Sequence, residues 1–120
     1  MKNVLLIFLG GGLGSVLRYL ISFYTQNLSS SIFPWGTLIV NVTGSFLIGF
    51  LSSILLNSNS SMKFLLIVGF CGGFTTFSAF SLENIVLWEN GSYRLLIFYS
   101  VLSVIMGATS AYIGYNLVKN

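Results

Sequence analysis

Four long apolar runs separated by short polar clusters dominate the pattern of this chain. The first, residues 4–24, is interrupted by one charge, Arg18, and the second, 36–56, by none. The third, 62–88, carries Lys63 at its edge and Glu83 inside, and the fourth, 95–118, is again free of charge. A helix that crosses a bilayer needs roughly 20 mainly apolar residues, and each run meets that length. The separators at 26–31, 57–61 and 89–92 are rich in Ser, Asn and Gly, which is turn composition. The pattern predicts an all-α integral membrane protein, a single domain over 1–120 with four transmembrane helices.

Composition sharpens this. Of 120 residues, 55% are hydrophobic and only 6% charged, with a mean hydropathy of +0.92. Soluble domains carry about 25% charged residues, so lipid is the main solvent. No histidine, one cysteine and two carboxylates speak against the usual hydrolytic and metal chemistries, and the chain is not read as an enzyme. Five cations, placed singly, form no basic patch for nucleic acid. Cys71 has no partner for an intrachain disulfide and reads as a small buried hydrophobe. The first run begins like a secretory signal, but Arg18 and Tyr19 stand where a cleavage region is small and neutral; it is read as a retained helix.

Four spans place both termini and the 57–61 loop on one side, with Lys2, Lys63 and Lys119; the other side has Arg94, with Arg18 near it. Orientation follows the excess of Lys and Arg in cytoplasmic loops, and three against two is almost no bias. Such a chain can insert both ways, so two copies in opposite orientations would form an antiparallel dimer.

Inside the spans, polar groups stand out. In the second run Thr37, Asn41, Gly44, Ser45, Ile48 and Ser52 fall within about a 100° arc of a helix. This stripe is read either as a helix-packing face or as one wall of a solvated path with the Asn41 amide as a donor. In the third run, Gly69-Phe70-Cys71-Gly72-Gly73-Phe74-Thr75-Thr76-Phe77-Ser78-Ala79-Phe80-Ser81 places glycines and hydroxyls at mid-membrane depth. Each Gly weakens a helix by about 1 kcal/mol relative to Ala, and Thr hydroxyls satisfy freed backbone groups, so a broken helix is expected. Carbonyls unwound at such breaks bind Na⁺ in transporters. Beyond the break, Phe77 and Phe80 share a face that Asn84 continues; an aromatic ring has a positive edge, against which an anion can lie. Glu83 shares a face with Thr76 and Ala79 and either accepts hydrogen bonds from the fourth helix or orients hydroxyls along a pore. Arg18 either snorkels to the interface or attracts anions. Tyr99 and Ser103 share a face of the fourth helix, open to packing or to pore lining. Gly10 and Gly14, and Ser103, Gly107 and Ala111, have helix-contact spacing.

Taken together, these segments resemble the CrcB/Fluc fluoride channel family. Gly11-Gly12-Leu13-Gly14-Ser15-Val16-Leu17-Arg18-Tyr19 is similar to its GGxxGxxxRY signature. Gly36-Thr37-Leu38-Ile39-Val40-Asn41-Val42-Thr43-Gly44-Ser45-Phe46 is similar to GTLxVNxxGS(F), and the stretch from Gly69 to Phe80 to GFCGGxTTFSTF. The resemblance covers three of the four helices in order. It implies a fluoride-selective passive channel in a bacterial-type plasma membrane, which exports fluoride from the cytoplasm and so lowers its toxicity. It further implies an antiparallel dual-topology dimer, either of two copies or with a closely related chain, with two pores around a central structural Na⁺. By motif position the backbone carbonyls of Gly72 and Thr75 would hold that ion. Phe77 and Phe80 would meet fluoride with their ring edges, Asn41 would be the amide donor, and Arg18 the vestibule arginine. Thr76, Ser78 and Glu83, with Tyr99 and Ser103, would belong to the polar track of the pore. Ala79 stands where the family pattern has Thr, so the track is either reduced or completed from the fourth helix.

Two other classes are weighed against this. A four-helix drug or cation exchanger needs a carboxylate deep in its binding helix, and the first helix offers Arg18 and neither Asp nor Glu. A structural, holin-like membrane protein leaves the Gly-Gly-x-Thr-Thr break and the paired Phe without a purpose.

Overall fold

A computed structural model describes residues 1–119, and all its regular elements are helical. They are α1 (Lys2–Leu28), α2 (Trp35–Leu55), a π-helical stretch (Phe64–Cys71) that runs into α3 (Gly72–Phe74), α4 (Phe77–Glu89) and α5 (Tyr93–Leu117). Counting Phe64–Glu89 as one span, four helices are long and apolar enough to cross a membrane. This is a multi-pass membrane protein of four spans, as the runs predict.

The boundaries differ from the expected ones at the ends. α1 continues through Gln26 and Asn27 to Leu28, because the polar cluster meant as a turn lies where the helix leaves the hydrocarbon and is solvated. The chain then turns at Ser29 and Ser31, whose hydroxyls accept from the Ser31 and Phe33 amides at 3.3 and 3.1 Å. Ser58 and Ser60 repeat this device before the third span. After α4, Ser92 N–H reaches Leu87 O at 2.9 Å and Gly91 N–H reaches Trp88 O at 3.0 Å. Gly91, with φ +70°, supplies the left-handed residue that this helix stop requires.

Alternation of direction makes the first and third spans parallel, and likewise the second and fourth, and these are the pairs that pack most extensively. Small residues allow it. A Cβ on Gly10 would meet the Leu65 carbonyl and, at 2.9 Å, the Phe70 amide; one on Gly14 would meet Phe70 O and Phe74 N. Reciprocally, Cβ atoms on Gly69 and Gly73 would strike the backbone of Ile7, Gly10 and Gly11. Gly49 and Gly114 do the same between α2 and α5, against Ala111 and Phe46, and Ser110 Oγ donates to Val42 O at 2.7 Å. Without a hydrophobic drive between helices in lipid, backbone proximity of this kind is the main source of association.

The core is small: Phe33, Leu38, Leu87 and Tyr99, with Phe80, Val42, Leu95, Leu96 and Leu102 packed on it. Cys71 is buried, as expected of a small hydrophobe. Most large apolar side chains face outward, toward lipid.

Candidate functional site

The third span breaks at Thr75 and Thr76, which are extended at φ −79°, ψ 154° and φ −148°, ψ 120°. Gly72, expected to weaken the helix, is itself helical at φ −63°, ψ −39°. The break therefore falls two residues beyond the Gly-Gly pair. Gly73 instead gives α1 its close approach, and two consecutive β-branched residues favour extended backbone. Their hydroxyls repair part of the damage. Thr75 Oγ1 donates to Cys71 O at 2.8 Å, and Thr76 Oγ1 caps α4 by accepting from Ala79 N–H at 3.1 Å. Gly44 makes room, since a Cβ there would strike the Thr75 methyl.

Two further groups at the break, the Thr76 N–H and the Gly73 carbonyl, find partners on other helices. Asn41 of α2 grips Thr76 at both ends: its Nδ2 donates to Thr76 O at 2.9 Å and its Oδ1 accepts from Thr76 N–H at 2.8 Å. One amide hydrogen on Nδ2 remains available. Arg18 Nε and Ser15 Oγ, from α1, donate to Gly73 O at 3.1 and 3.4 Å. Arg18 thus reaches across to the break.

Because Thr76 N–H is taken by Asn41 and Ala79 N–H by Thr76 Oγ1, the carbonyls of Gly72 and Thr75 lose the amides that an unbroken helix would give them. Gly72 is exposed, and a Cβ there would meet nothing within 4 Å. Freed carbonyl oxygens on an open face are the donor set a hard cation such as Na⁺ takes. Among the described residues, no three His, Cys, Asp or Glu gather as metal ligands, so backbone oxygens would have to serve.

Beyond the break, Thr76 Oγ1 and Ser78 Oγ lie 3.2 Å apart. The Phe77 and Phe80 ring centroids are 5.6 Å apart, and Phe80 and Tyr99 are 5.1 Å apart. Phe77 is 78% exposed, whereas Tyr99 is completely buried. Tyr99 OH donates to Glu83 Oε2 at 3.1 Å, and Thr37 Oγ1 donates to Glu83 Oε1. Both carboxylate oxygens are therefore engaged, by α5 and α2 together. Ser103 Oγ, one turn past Tyr99, is buried without a hydrogen-bond partner among the described residues.

A cavity of about 500 Å³ opens beside this network, lined by Arg18, Ser22, Thr25, Thr37, Ala79 and Glu83 among others. It runs from the polar end of α1 toward the break. Ala79 lines it as a methyl group, and hydroxyls come from Ser22, Thr25 and Thr37 instead.

Two groups result. Asn41, Ser78 and Ala79 gather on Thr76. Thr37 and Tyr99 gather on Glu83, with Phe80 packed on Tyr99 and Phe77 on Phe80. Arg18 reaches the break through Gly73, and Ser45, Ile48, Ser52 and Ser103 take no part in either group. Sequence reasoning did not pick out Thr37 as Glu83's partner, although its place in the α2 stripe one turn before Asn41 was the available signal. Nor did it find Gly73 as the acceptor for Arg18 and Ser15.

A family model described as "CrcB-like protein, Camphor Resistance (CrcB)" matches residues 5–115. Among curated relatives, a protein named fluoride-specific ion channel FluC from Azobacteroides pseudotrichonymphae is 42% identical, covering 99% of this chain and 98% of its own. Proteins of the same name from Agrobacterium fabrum and Rhizobium meliloti are 42% and 45% identical, the alignments covering 100% and 99% of this chain and 98% of each relative. With matches that run nearly end to end in both directions, this chain belongs to the CrcB family.

Proposed function

We propose that this protein is a passive, fluoride-selective channel of a bacterial-type plasma membrane, which lets fluoride leave the cytoplasm and so lowers its toxicity. The observation that carries the reading is the cluster at the break: an amide hydrogen on Asn41 of the second span, with the Thr76–Ser78 hydroxyl pair and the Phe77–Phe80 rings of the third. The names of the relatives point the same way.

The chemistry is coherent. Fluoride is small and holds its water tightly, so a pore must replace that water with donors and positive ring edges. Conduction also requires that each site hold the ion weakly enough to release it. Amides, hydroxyls and ring edges meet both demands, while the one nearby cation, Arg18, is tied to the Gly73 carbonyl beside the vestibule. Glu83, with both oxygens occupied, acts as an anchor that ties Thr37, at the edge of the cavity, to the buried Tyr99. It is poorly placed to exchange protons for cations, which weakens the exchanger reading. With the inside negative, the membrane potential favours anion exit by about 2.3 kcal/mol per 100 mV.

The working unit in this proposal is two copies in opposite orientations, or one copy with a closely related chain. The 78% exposure of Phe77, the open face at Gly72 and the near-equal charge of the two sides support it. A structural Na⁺ at the centre would be held by the Gly72 and Thr75 carbonyls of both chains and would supply fixed positive charge between the two paths. Fluoride release from proteoliposomes, read with a fluoride electrode, tests the function. The purified protein should empty fluoride-loaded vesicles and leave chloride-loaded ones full, whereas protein-containing vesicles that hold their fluoride would refute it.

A further inference from the structure

Asn84 lies on α4 where neither the break nor the Glu83 network uses it. At three- and four-residue steps along the helix, Phe77, Phe80 and Asn84 share one face. Asn84 is eight positions past Thr76, the cap of α4. At 1.5 Å per residue that is roughly 12 Å from the break, inside the half-thickness of roughly 15 Å of the hydrocarbon layer.

The carboxamide is fixed at one end only. Ser100 Oγ of α5, the residue after Tyr99, donates to Asn84 Oδ1 at 3.3 Å. No partner within the described residues takes the Nδ2 hydrogens, yet Nδ2 is not among the enclosed, unpartnered side-chain atoms. It is therefore reachable from outside the protein core. An amide left open to hydrocarbon would cost several kcal/mol, so its setting must supply an acceptor.

We propose that Asn84 is a further donor of the ion path, placed on the far side of Phe80 from Asn41, and that Ser100 is the positioning residue that turns its Nδ2 toward the passing anion. The inference rests on the fluoride reading and deepens it. A dehydrated anion leaving the ring edge of Phe80 meets, one turn further on, an N–H pair whose carbonyl end is already occupied. The Ser100 hydrogen bond takes up the acceptor that would otherwise repel the ion. The path then has amides on both sides of the aromatic pair: Asn41, which also clamps the break, and Asn84, which serves the ion alone.

Fluoride efflux from proteoliposomes is measured for the wild type, Asn84→Leu, Asn84→Asp and Ser100→Ala, each checked for a monodisperse peak on size-exclusion chromatography in detergent. Asn84→Asp separates a path role from a packing role, because a carboxylate still accepts from Ser100 but has no N–H to offer. Both Asn84 variants should lose fluoride flux by roughly tenfold to a hundredfold, the range for one hydrogen bond to a charged group. Ser100→Ala should lose less and should raise the fluoride concentration at half-maximal flux. Wild-type flux in a monodisperse Asn84→Leu or Asn84→Asp overturns the proposal; where neither variant is monodisperse, wild-type flux and half-saturation in Ser100→Ala overturn it. A wild type that releases no fluoride instead fails the channel reading itself, and this inference with it.

Discussion

Asn41 shows how one side chain does two things at once. Its Oδ1 takes the Thr76 N–H that loses its helical acceptor where the helix opens, its Nδ2 adds a bond to the Thr76 carbonyl, and one hydrogen remains on Nδ2. Asn41→Leu strands the Thr76 N–H at mid-membrane, at about 1–3 kcal/mol. A drop of that size in thermal stability in detergent is expected, together with loss of flux; unchanged stability would mean that the break does not need its clamp. Phe80 touches both Phe77 and the buried Tyr99, so its edge is held in one place. Phe80→Ile keeps an apolar side chain but removes the ring edge, and fluoride efflux should fall at least tenfold with little change in stability. Equal flux in this variant would remove the aromatic-edge mechanism.

At the scale of elements, the glycines of the third span divide their labour. Gly73 lies against the backbone of Gly11, so Gly73→Ala forces α1 and α3 apart and should destabilise the fold by about 1–3 kcal/mol, the usual range for overpacking. Gly72 meets nothing within the chain. Gly72→Ala should leave helix content and protomer stability as they are and raise the monomer fraction in detergent if a second copy covers this face; an unchanged dimer fraction would place the interface elsewhere. The four spans were legible because hydropathy and turn composition are local signals. The break was legible as a stretch, Gly72 to Thr76, but not to the residue. Gly-Gly marks a weak helix, yet the position was decided by Thr75 and Thr76 hydroxyls and by Asn41, 35 positions earlier. The Thr37–Glu83 contact spans 46 positions, and no local pattern carries such a pairing. The same holds for Arg18, whose target is a carbonyl, and a carbonyl has no sequence signature.

For the whole molecule, charge is the controlling quantity because there is so little of it. Three cations on one side against two on the other leave insertion nearly balanced, so a small change should tip it. Replacing Asn57 and Asn59 with Lys adds two positive charges to the side that holds the termini and should lock all copies in one orientation. Labelling from each side of a cysteine introduced as Ser30→Cys in the exposed turn after α1, in a Cys71→Ser background, should find copies without the added lysines facing both ways and the locked variant facing one. The locked variant alone should conduct poorly, and co-expression with a variant locked the other way should restore flux. A locked variant that conducts fully by itself would sink the dual-topology reading.

The same scarcity of charge bears on selectivity, because an interior of amides, hydroxyls and ring edges has to distinguish fluoride by how completely its water is replaced. The reversal potential in a planar bilayer, with a tenfold fluoride gradient and symmetrical chloride, measures this without reference to rate or to the number of active copies. The account predicts reversal at the fluoride equilibrium potential, about 59 mV for a tenfold gradient of a monovalent ion. Reversal shifted far from that value toward 0 mV, as in a path that carries the symmetrical chloride as readily as fluoride, would contradict it.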